Sequence, residues 1–446
     1  MKKPNALIIA NDSQRSHDNH AAKADDPPFT TDYDQHNGEP NSPEQDSLRQ
    51  SVFSLYIHIP WCVKKCPYCD FNSHEGHNKV DYERYTKQLL ADLKQELATF
   101  AEQLSQRQLV SIFIGGGTPS LMPTEHITYL LSRTRRLLLQ QTKTRNWSAV
   151  EVTLEVNPGT HEYADFKELR KAGITRISLG CQSFNNDFLQ TLGRIHSASN
   201  IYTAFEKARS AGFTNINIDL MYALPKQSLN QALCDLKEAI DLTPEHISWY
   251  QLTLEPNTAF YSRPPEHLPS DDLSADMAEA GQRKLANAGF EQYEVSAYAK
   301  EEKRSLHNLN YWRFGDYLAI GAGAHGKMTI KHARVDEAHP HACSHAYPEI
   351  VRYQKTRSPQ DYLKTTPPSL HLDTIDQKAI AFEYMLNRLR LNDAIRFEEW
   401  QRATGQAASQ LSALTENNDL FIVSKHGIEL STRGRVFLDD AVSCFL

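Results

Sequence analysis

Three cysteines, Cys62, Cys66 and Cys69, fall within eight residues in the stretch "SLYIHIPWCVKKCPYCDFN", residues 54 to 72. A tight loop leaving a strand can point three thiolates at one site. Iron–sulfur clusters are ordinarily held by four cysteine thiolates. With three, one iron of a [4Fe–4S] cluster keeps an open coordination position, which an amino and a carboxylate group on one small molecule can chelate. That is the demand of cluster-driven radical chemistry with S-adenosylmethionine (SAM), in which an electron passed into the sulfonium breaks a carbon–sulfur bond. A Cys3His zinc site competes with this reading, because His58, His74 and His77 are close in sequence. Its spacing is poorer: paired zinc knuckles show two ligands, a gap and two more, whereas these three are compact and sit at a strand end. A zinc-stabilised binding module stays as an alternative.

The frame that positions such a loop begins at residue 53, where short β-rich runs start to alternate with longer amphipathic ones. "FSLYIHI" reads as a strand, and Tyr85, Leu89, Leu93 and Leu97 then recur every four residues as one face of a helix. "LVSIFIGGG" is a second strand, with a helix opening near Pro123. "VEVTLEVNP", "ITRISLGCQSF", "NINIDLMYALP" and "HISWYQLTLEP" are four more, separated by helical sequence. This βα alternation predicts an α/β fold with a parallel sheet and helices outside, about six units curling into a full or partial barrel. "EQYEVSAY" and "YLAIGAGAH" are weaker strands. After residue 366 a helix carrying Phe382, Leu386 and Leu389 on one face, a hairpin turning at Lys425 to Gly427 and a last helix make a small winged-helix-like α+β module. Residues 1–50 show no periodicity and too little apolar surface to offset the entropy of ordering, and are expected to be a disordered tail. The expected division is tail 1–50, barrel 51–365 and C-terminal domain 366–446.

Barrel proteins place their chemistry at the C-terminal ends of the strands. "GGGTP" sits at such an end, and its glycines permit close backbone approach. Strand alternation puts Val152, Leu154 and Val156 on one face and Thr153, Glu155 and Asn157 on the other. With helices covering the outer face, Glu155 points inward, where a carboxylate is costly unless it meets donors. By the same parity Asn217, Asp219 and Met221 face inward, as does Gln182. Tyr56 alternates with Leu55 and Ile57 and precedes Cys62 by six.

"YIHIPWCVKKCPYCDF" resembles the signature of the radical SAM superfamily, and more narrowly of its oxygen-independent coproporphyrinogen III oxidase-like branch. The likeness runs from about residue 53 to the C terminus through "IFIGGGTPS", "LEVNPG", "SLGCQSFN", "NIDLMYALP" and "HNLNYWRFGDYLAIGAGAHGK". It implies a partial (β/α)6 barrel with a C-terminal lid domain. It further implies a [4Fe–4S] cluster on Cys62, Cys66 and Cys69, and SAM near Tyr56, Gly116, Gly117, Thr118, Glu155, Gln182, Arg194 and Asp219. In that likeness Gly116 and Gly117 meet the methionyl part, Glu155 the ribose hydroxyls, and Arg194 a second SAM. Arg194 alone would be read as a solvated charge on a helix.

The oxidases of this branch resemble C-x3-C-x2-C-x-C, but here the last position is Phe71. Decarboxylation of coproporphyrinogen III, the alternative function, is therefore not expected. Tyr68, Asp70 and Phe71 fit instead the sister group of heme chaperones, as does "HNLNYW", residues 307 to 312, which matches that group's HNxxYW motif, linked there with heme binding. His307 can offer an imidazole to iron, and Tyr311 and Trp312 can lie against a flat macrocycle. The implied function is binding of heme and its delivery to apo-hemoproteins, respiratory ones foremost. A flavodoxin or ferredoxin reductant and a homodimer are further expectations.

Composition agrees with a soluble frame. The 446 residues are 40% hydrophobic with a formal net charge of -7, enough for a large core and without electrostatic reason for a nucleic-acid partner. Seven cysteines in this length do not make a disulfide scaffold and point to a reducing, cytoplasmic compartment. Cys181, Cys234, Cys343 and Cys444 are expected as buried small hydrophobes, with Cys343 near His339, His341 and His345 as a weaker metal or heme candidate. No apolar run approaches the ~20 residues of a membrane span, and "ALIIA" is too short for a signal peptide. Peripheral membrane contact stays open.

Overall fold

The computed structural model describes residues 51–76, 80–160, 165–331, 347–368, 370–415 and 418–446. The expected tail, His77, and Cys343 with its neighbouring histidines lie outside the described residues. Six parallel strands stand side by side in chain order: β1 (Val52–Ile59), β2 (Gln108–Gly116), β3 (Glu151–Val156), β4 (Arg176–Gln182), β5 (Ile216–Tyr222) and β6 (His246–Gln251). The sheet does not close from β6 onto β1. Beyond β6 the hairpin β7 (Glu291–Glu294) and β8 (Ala297–Ala299) pairs antiparallel. Beyond β1 lie the parallel β9 (Asp316–Ile320), then β10 (His325–Lys331), β11 (Glu349–Gln354) and β12 (Leu372–Thr374). The partial (β/α)6 barrel is thus the centre of a twelve-stranded open sheet.

The helices α1 (Tyr82–Thr99), α2 (Thr124–Gln141), α3 (Phe166–Ala172), α4 (Ala198–Ser210), α5 (Leu229–Asp241) and α6 (Asp271–Asn287) accompany the strands. Their starts follow from capping: the Asp81, Ser228 and Ser270 side chains each accept from an orphan N–H of the first turn. Tyr85, Leu89, Leu93 and Leu97 of α1 are fully buried in one core with Phe53, Leu55, Ile57, Val152, Leu154, Ile216 and Ile218. That leaves the other parity of each strand, largely polar, to face the barrel interior. A buried ionic cluster fixes the β1-side extension to α1. Lys355 Nζ meets Asp92 at 2.5 Å and Glu96 at 2.8 Å, while Tyr362 and Tyr353 hydroxyls donate to the same two carboxylates at 2.6 and 2.8 Å.

After β9, the chain enters the C-terminal module through β11 and β12. α7 (Leu306–Trp312) lies before β9, and the module itself holds α8 (Gln377–Arg388), α9 (Phe397–Thr404) and α10 (Ala408–Thr415). Its small sheet combines β13 (Ile395–Arg396), β14 (Phe421–Val423) and β15 (Gly427–Leu430), the last two forming a hairpin wing. The wing turns where the sequence predicts it. Two details differ. Ile380, Ala381, Tyr384, Met385 and Arg388 form the buried face of α8, and Leu386 points to solvent. The expected single last helix is two short ones, Thr432–Val436 and Leu438–Ser443. The module's core, around Trp400, Tyr384 and Leu411, takes in Phe314 and Ile350 from the barrel side. Among the described residues no helix is long and apolar enough to cross a membrane.

Candidate functional site

The cysteine loop is a closed excursion from the C-terminal end of β1. Trp61–Cys62 pairs in parallel with His74–Glu75, so entry and exit of the loop are tied together. Each sulfur has its own polar neighbour: the Thr118 hydroxyl lies 3.5 Å from Cys62 Sγ, Arg194 Nη1 3.6 Å from Cys66 Sγ, and the Ser73 hydroxyl 3.9 Å from Cys69 Sγ. Donors aimed at sulfur suit thiolates. Burial raises the Cys62 and Cys69 thiols above their usual range, and the neighbouring cysteines add to that. Among the described residues, no three His, Cys, Asp or Glu side chains gather closely enough to hold a lone metal ion.

His58, a zinc-ligand candidate by its place in the sequence, has both ring nitrogens engaged elsewhere. Its Nε2 lies 2.9 Å from the Asn72 carbonyl and its Nδ1 2.9 Å from the Tyr56 hydroxyl. A carbonyl only accepts, so Nε2 carries the proton and Nδ1 accepts from Tyr56. Burial lowers His58 to about 4 and keeps it neutral. Asn72 in turn donates to the Ala322 and Arg357 carbonyls, both at 2.9 Å. The chain Tyr56–His58–Asn72 therefore links the barrel interior to the loop that carries Cys69.

The glycine turn closes against the same residues. At Gly116, φ is 116°, and a Cβ would stand 2.4 Å from the His58 ring; at Gly117 it would stand 2.6 Å from the Trp61 carbonyl. Such a cradle is open only to glycine. Gly116 N–H donates to Glu155 Oε2 at 3.0 Å. Glu155 and Asp219 both face inward, as parity predicts. Burial first, then the Asp219 charge, pushes Glu155 up to about 7. Asp219 is raised by burial although it accepts from Ser178 Oγ at 3.0 Å and Asn217 Nδ2 at 2.8 Å. Gln182 sits at a positive φ of 70° and accepts from the Tyr250 hydroxyl at 2.7 Å.

Arg194 is not on a helix. It follows the short helix Asn186–Thr191 in the turn before α4, and its Nη2 donates to the Gly180 carbonyl at 2.7 Å. Beside Cys66 and Tyr68 it is a half-buried cation against the cysteine loop, not a solvated charge. Tyr68 packs with Phe188, Met221 and Phe260, and burial pushes its hydroxyl up.

His307 enters from the other end of the barrel. Its backbone N–H donates to Glu151, the first residue of β3, at 3.3 Å, and its Nδ1 lies 3.1 Å from Ser111 Oγ. Its ring is 5.0 Å from Phe113 and 6.4 Å from Tyr56, centroid to centroid, and burial lowers it to about 3. Tyr311 and Trp312 do not share a plane: their rings meet edge to face at 86°, so only one can lie flat on a given plate. Trp312 instead lies under the Arg390 guanidinium at 4.4 Å. Of the cysteines expected to be buried, Cys181 is, Cys234 is exposed and Cys444 is half-buried.

The inward residues predicted from sequence thus gather in one interior. Those missed are His58 as a bridge, Asn72, Ser111, Ser178 and Tyr250. The parity of β1 and β2 carries a signal for His58 and Ser111; for Asn72, on an irregular loop, there is none.

A profile of the Radical SAM superfamily matches residues 56–237, and one of the HemN C-terminal domain matches residues 375–437. The chain is 45% identical over 405 residues to "Heme chaperone HemW" of Haemophilus influenzae, covering 88% of this chain and 97% of that protein. To the protein of the same name in Escherichia coli it is 42% identical, covering 88% and 98%. Among solved structures, coproporphyrinogen III oxidase (HemN) from Escherichia coli, a radical SAM enzyme, superposes with a TM-score of 0.68 over 90% of this chain and 93% of that one, at 21% identity. The last likeness speaks for the fold.

Proposed function

Because the chain belongs to the radical SAM superfamily, in the HemN-like branch with the heme chaperones HemW, we propose that it binds heme and delivers it to apo-hemoproteins. In this reading Cys62, Cys66 and Cys69 hold a [4Fe–4S] cluster, for which Thr118, Ser73 and Arg194 are suitable neighbours. SAM would lie across the strand ends, with Gly116 and Gly117 against its methionyl part and Glu155 and Asp219 toward its hydroxyls and positive charge. The cluster, when bound, supplies an open iron position and a one-electron couple. Residues 51–365 act as barrel and 366–446 as lid. Respiratory apo-proteins, a flavodoxin or ferredoxin donor, a cytoplasmic or membrane-peripheral site and a dimer belong to the same proposal.

The observation that carries this reading is the reach of α7. It brings His307 of the HNxxYW motif to ring contact with Tyr56, which itself bonds His58 beside the cysteine loop. The test is a heme titration of anaerobically reconstituted protein, with and without His307→Ala, run beside a coproporphyrinogen III turnover assay. Stoichiometric heme binding weakened by the substitution, with no decarboxylation, is expected. Decarboxylation at a catalytic rate would transfer the assignment to the oxidase. That second reading has the HemN fold in its favour, but Phe71, 58% exposed, departs from the C-x3-C-x2-C-x-C pattern that the resemblance implies for the oxidases. The zinc module loses His58 as a fourth ligand, since both ring nitrogens are engaged.

A further inference from the structure

Inside the barrel a run of hydrogen bonds begins at Asp219 and ends at the start of α7. Asp219, on β5, accepts at Oδ1 from the Asn217 side-chain amide at 2.8 Å and at Oδ2 from the Ser178 hydroxyl at 3.0 Å. Because a carboxylate accepts, the Asn217 amide turns its Nδ2 toward Asp219 and its Oδ1 toward β6. That oxygen accepts from the Ser248 hydroxyl at 3.1 Å and lies 2.6 Å from His246 Nδ1. Nδ1 therefore carries the ring proton, and Nε2 accepts from the Tyr293 hydroxyl at 2.8 Å. Tyr293, on β7, in turn accepts the backbone N–H of Ser305, the N-cap of α7, at 3.3 Å.

Every link donates in the same direction, from α7 toward the Asp219 carboxylate. Asn217, His246, Tyr293 and Ser305 are each no more than 3% exposed, so an unmade bond is costly and bonds in series polarise one another. Burial, and then the Arg176 charge, keep the His246 ring neutral, as acceptance at Nε2 requires. A change in what Asp219 accepts therefore alters the hold on Ser305 at the other end. Two residues beyond that N-cap stands His307. Its backbone N–H is held by Glu151 and its Nδ1 lies 3.1 Å from Ser111 Oγ, while its Nε2 makes no hydrogen bond among the described residues. The ring nitrogen open to a metal is thus carried on a helix whose first turn rests on the run from Asp219.

Resting on the heme-carrier reading, with SAM at Asp219 and heme iron at His307, we propose that His246 and Tyr293 are positioning residues that couple the two sites. Both act through Asn217 and Ser305, not on a ligand. A donor on SAM shares the Asp219 carboxylate with Asn217, and the run carries that competition to the seat of His307. Occupancy of the strand ends by SAM thereby sets the affinity for heme, and heme sets that for SAM by the same factor.

Heme is titrated by absorbance into full-length, cluster-loaded protein, without SAM and at saturating SAM, with the cluster kept oxidised so that SAM is not cleaved. In wild type the heme Kd should change by about fivefold or more between the two conditions. Tyr293→Phe keeps the ring and removes the hydroxyl of the run, and there the ratio should fall to within about twofold of unity. Asn217→Ala breaks the run at another link, should do the same, and carries the test if Tyr293→Phe does not fold. Ser111→Ala loosens His307 without touching the run, so it should weaken heme binding and keep the wild-type ratio. Cluster content and circular dichroism check folding. No SAM effect in wild type, a ratio that persists in Tyr293→Phe and Asn217→Ala as it would for a merely structural role, or no SAM binding at all overturns the coupling and leaves heme carriage standing. If wild type binds no heme, the carrier reading falls, and hydrogen exchange of the 305–312 amides with and without SAM decides the coupling. SAM-dependent exchange that Tyr293→Phe abolishes upholds it; exchange that SAM leaves unchanged overturns it.

Discussion

Gly116→Ala tests whether the inner face of β1 is locked to the glycine turn. At φ 116° a residue with a Cβ occupies strained backbone, which costs about 1–3 kcal/mol. The new Cβ would also stand 2.4 Å from His58 Cε1 and 2.5 Å from its Nδ1. The ring cannot swing aside without releasing both the Tyr56 hydroxyl and the Asn72 carbonyl, a loss of about 2 kcal/mol at ~1 kcal/mol per bond. The two effects together predict a destabilisation of about 3–5 kcal/mol, against a total domain stability of roughly 5–15 kcal/mol. Urea denaturation of Gly116→Ala, His58→Ala and the double variant separates them. With the ring removed, Gly116→Ala should cost only the backbone part, so the cycle should show a coupling of about 2 kcal/mol. Additivity to within about 0.5 kcal/mol would mean that the ring yields freely and that the Tyr56–His58–Asn72 chain is not a constraint.

Glu155→Gln should change the pH profile of the cofactor-free protein. The wild-type carboxyl, held at about 7 against an ordinary 4.5, keeps a proton that the unfolded chain gives up, so stability is lost as pH rises through this window. The variant should therefore gain on wild type between about pH 4.5 and about pH 7, and an equal urea midpoint difference at both ends would contradict it. His58 and His307, lowered to about 4 and about 3 by burial, act with the opposite sign. The unfolded chain binds their protons first, so stability falls as pH drops below about 6.5, and His307→Gln should flatten that acid limb in a denaturation series. Arg194→Gln removes a cation 3.6 Å from Cys66 Sγ. In reconstituted protein it should move the cluster midpoint negative, on the order of 60 mV for a tenfold effect on a one-electron couple; a redox titration followed by electron paramagnetic resonance that finds no shift would separate Arg194 from the cluster.

The sequence makes legible what periodicity encodes. The six βα units follow from alternation of period-2 and period-3.6 runs, and the inward aim of Glu155 and Asp219 follows from parity, because one face of each strand is claimed by the helices. Gln182 is reached by the same argument even though the pairing of β4 with β5 is irregular between Leu179 and Gln182. What periodicity does not encode is contact between irregular segments. Arg194 meets Cys66 across 128 positions of chain, from a turn. Asn72 meets Ala322 across 250. The outermost strands β7, β8 and β12 have only three or four residues each; the last of them, Leu372–Thr374, is exposed at every residue, so its pairing with β11 has no hydrophobic signature to read.

The HNLNYW segment shows why a motif read as one unit can divide in space. On a helix of seven residues, successive side chains fan out by about 100°. His307 therefore reports on the barrel interior, through Ser111 and Tyr56, while Leu309 and Arg313 line a cavity beneath. Trp312 reports on neither: it joins α7 to Arg390 of the C-terminal module. Because Ser305 caps the helix and the Glu151 carboxylate holds the N–H of His307, these directions are fixed relative to one another. Any shift that draws His307 away from Tyr56 must carry Leu309 and Arg313 with it. A loss of heme binding on substituting one residue of the segment is thus evidence about a direction before it is evidence about a ligand, and variants on the two faces have to be compared in the same background to tell the two apart.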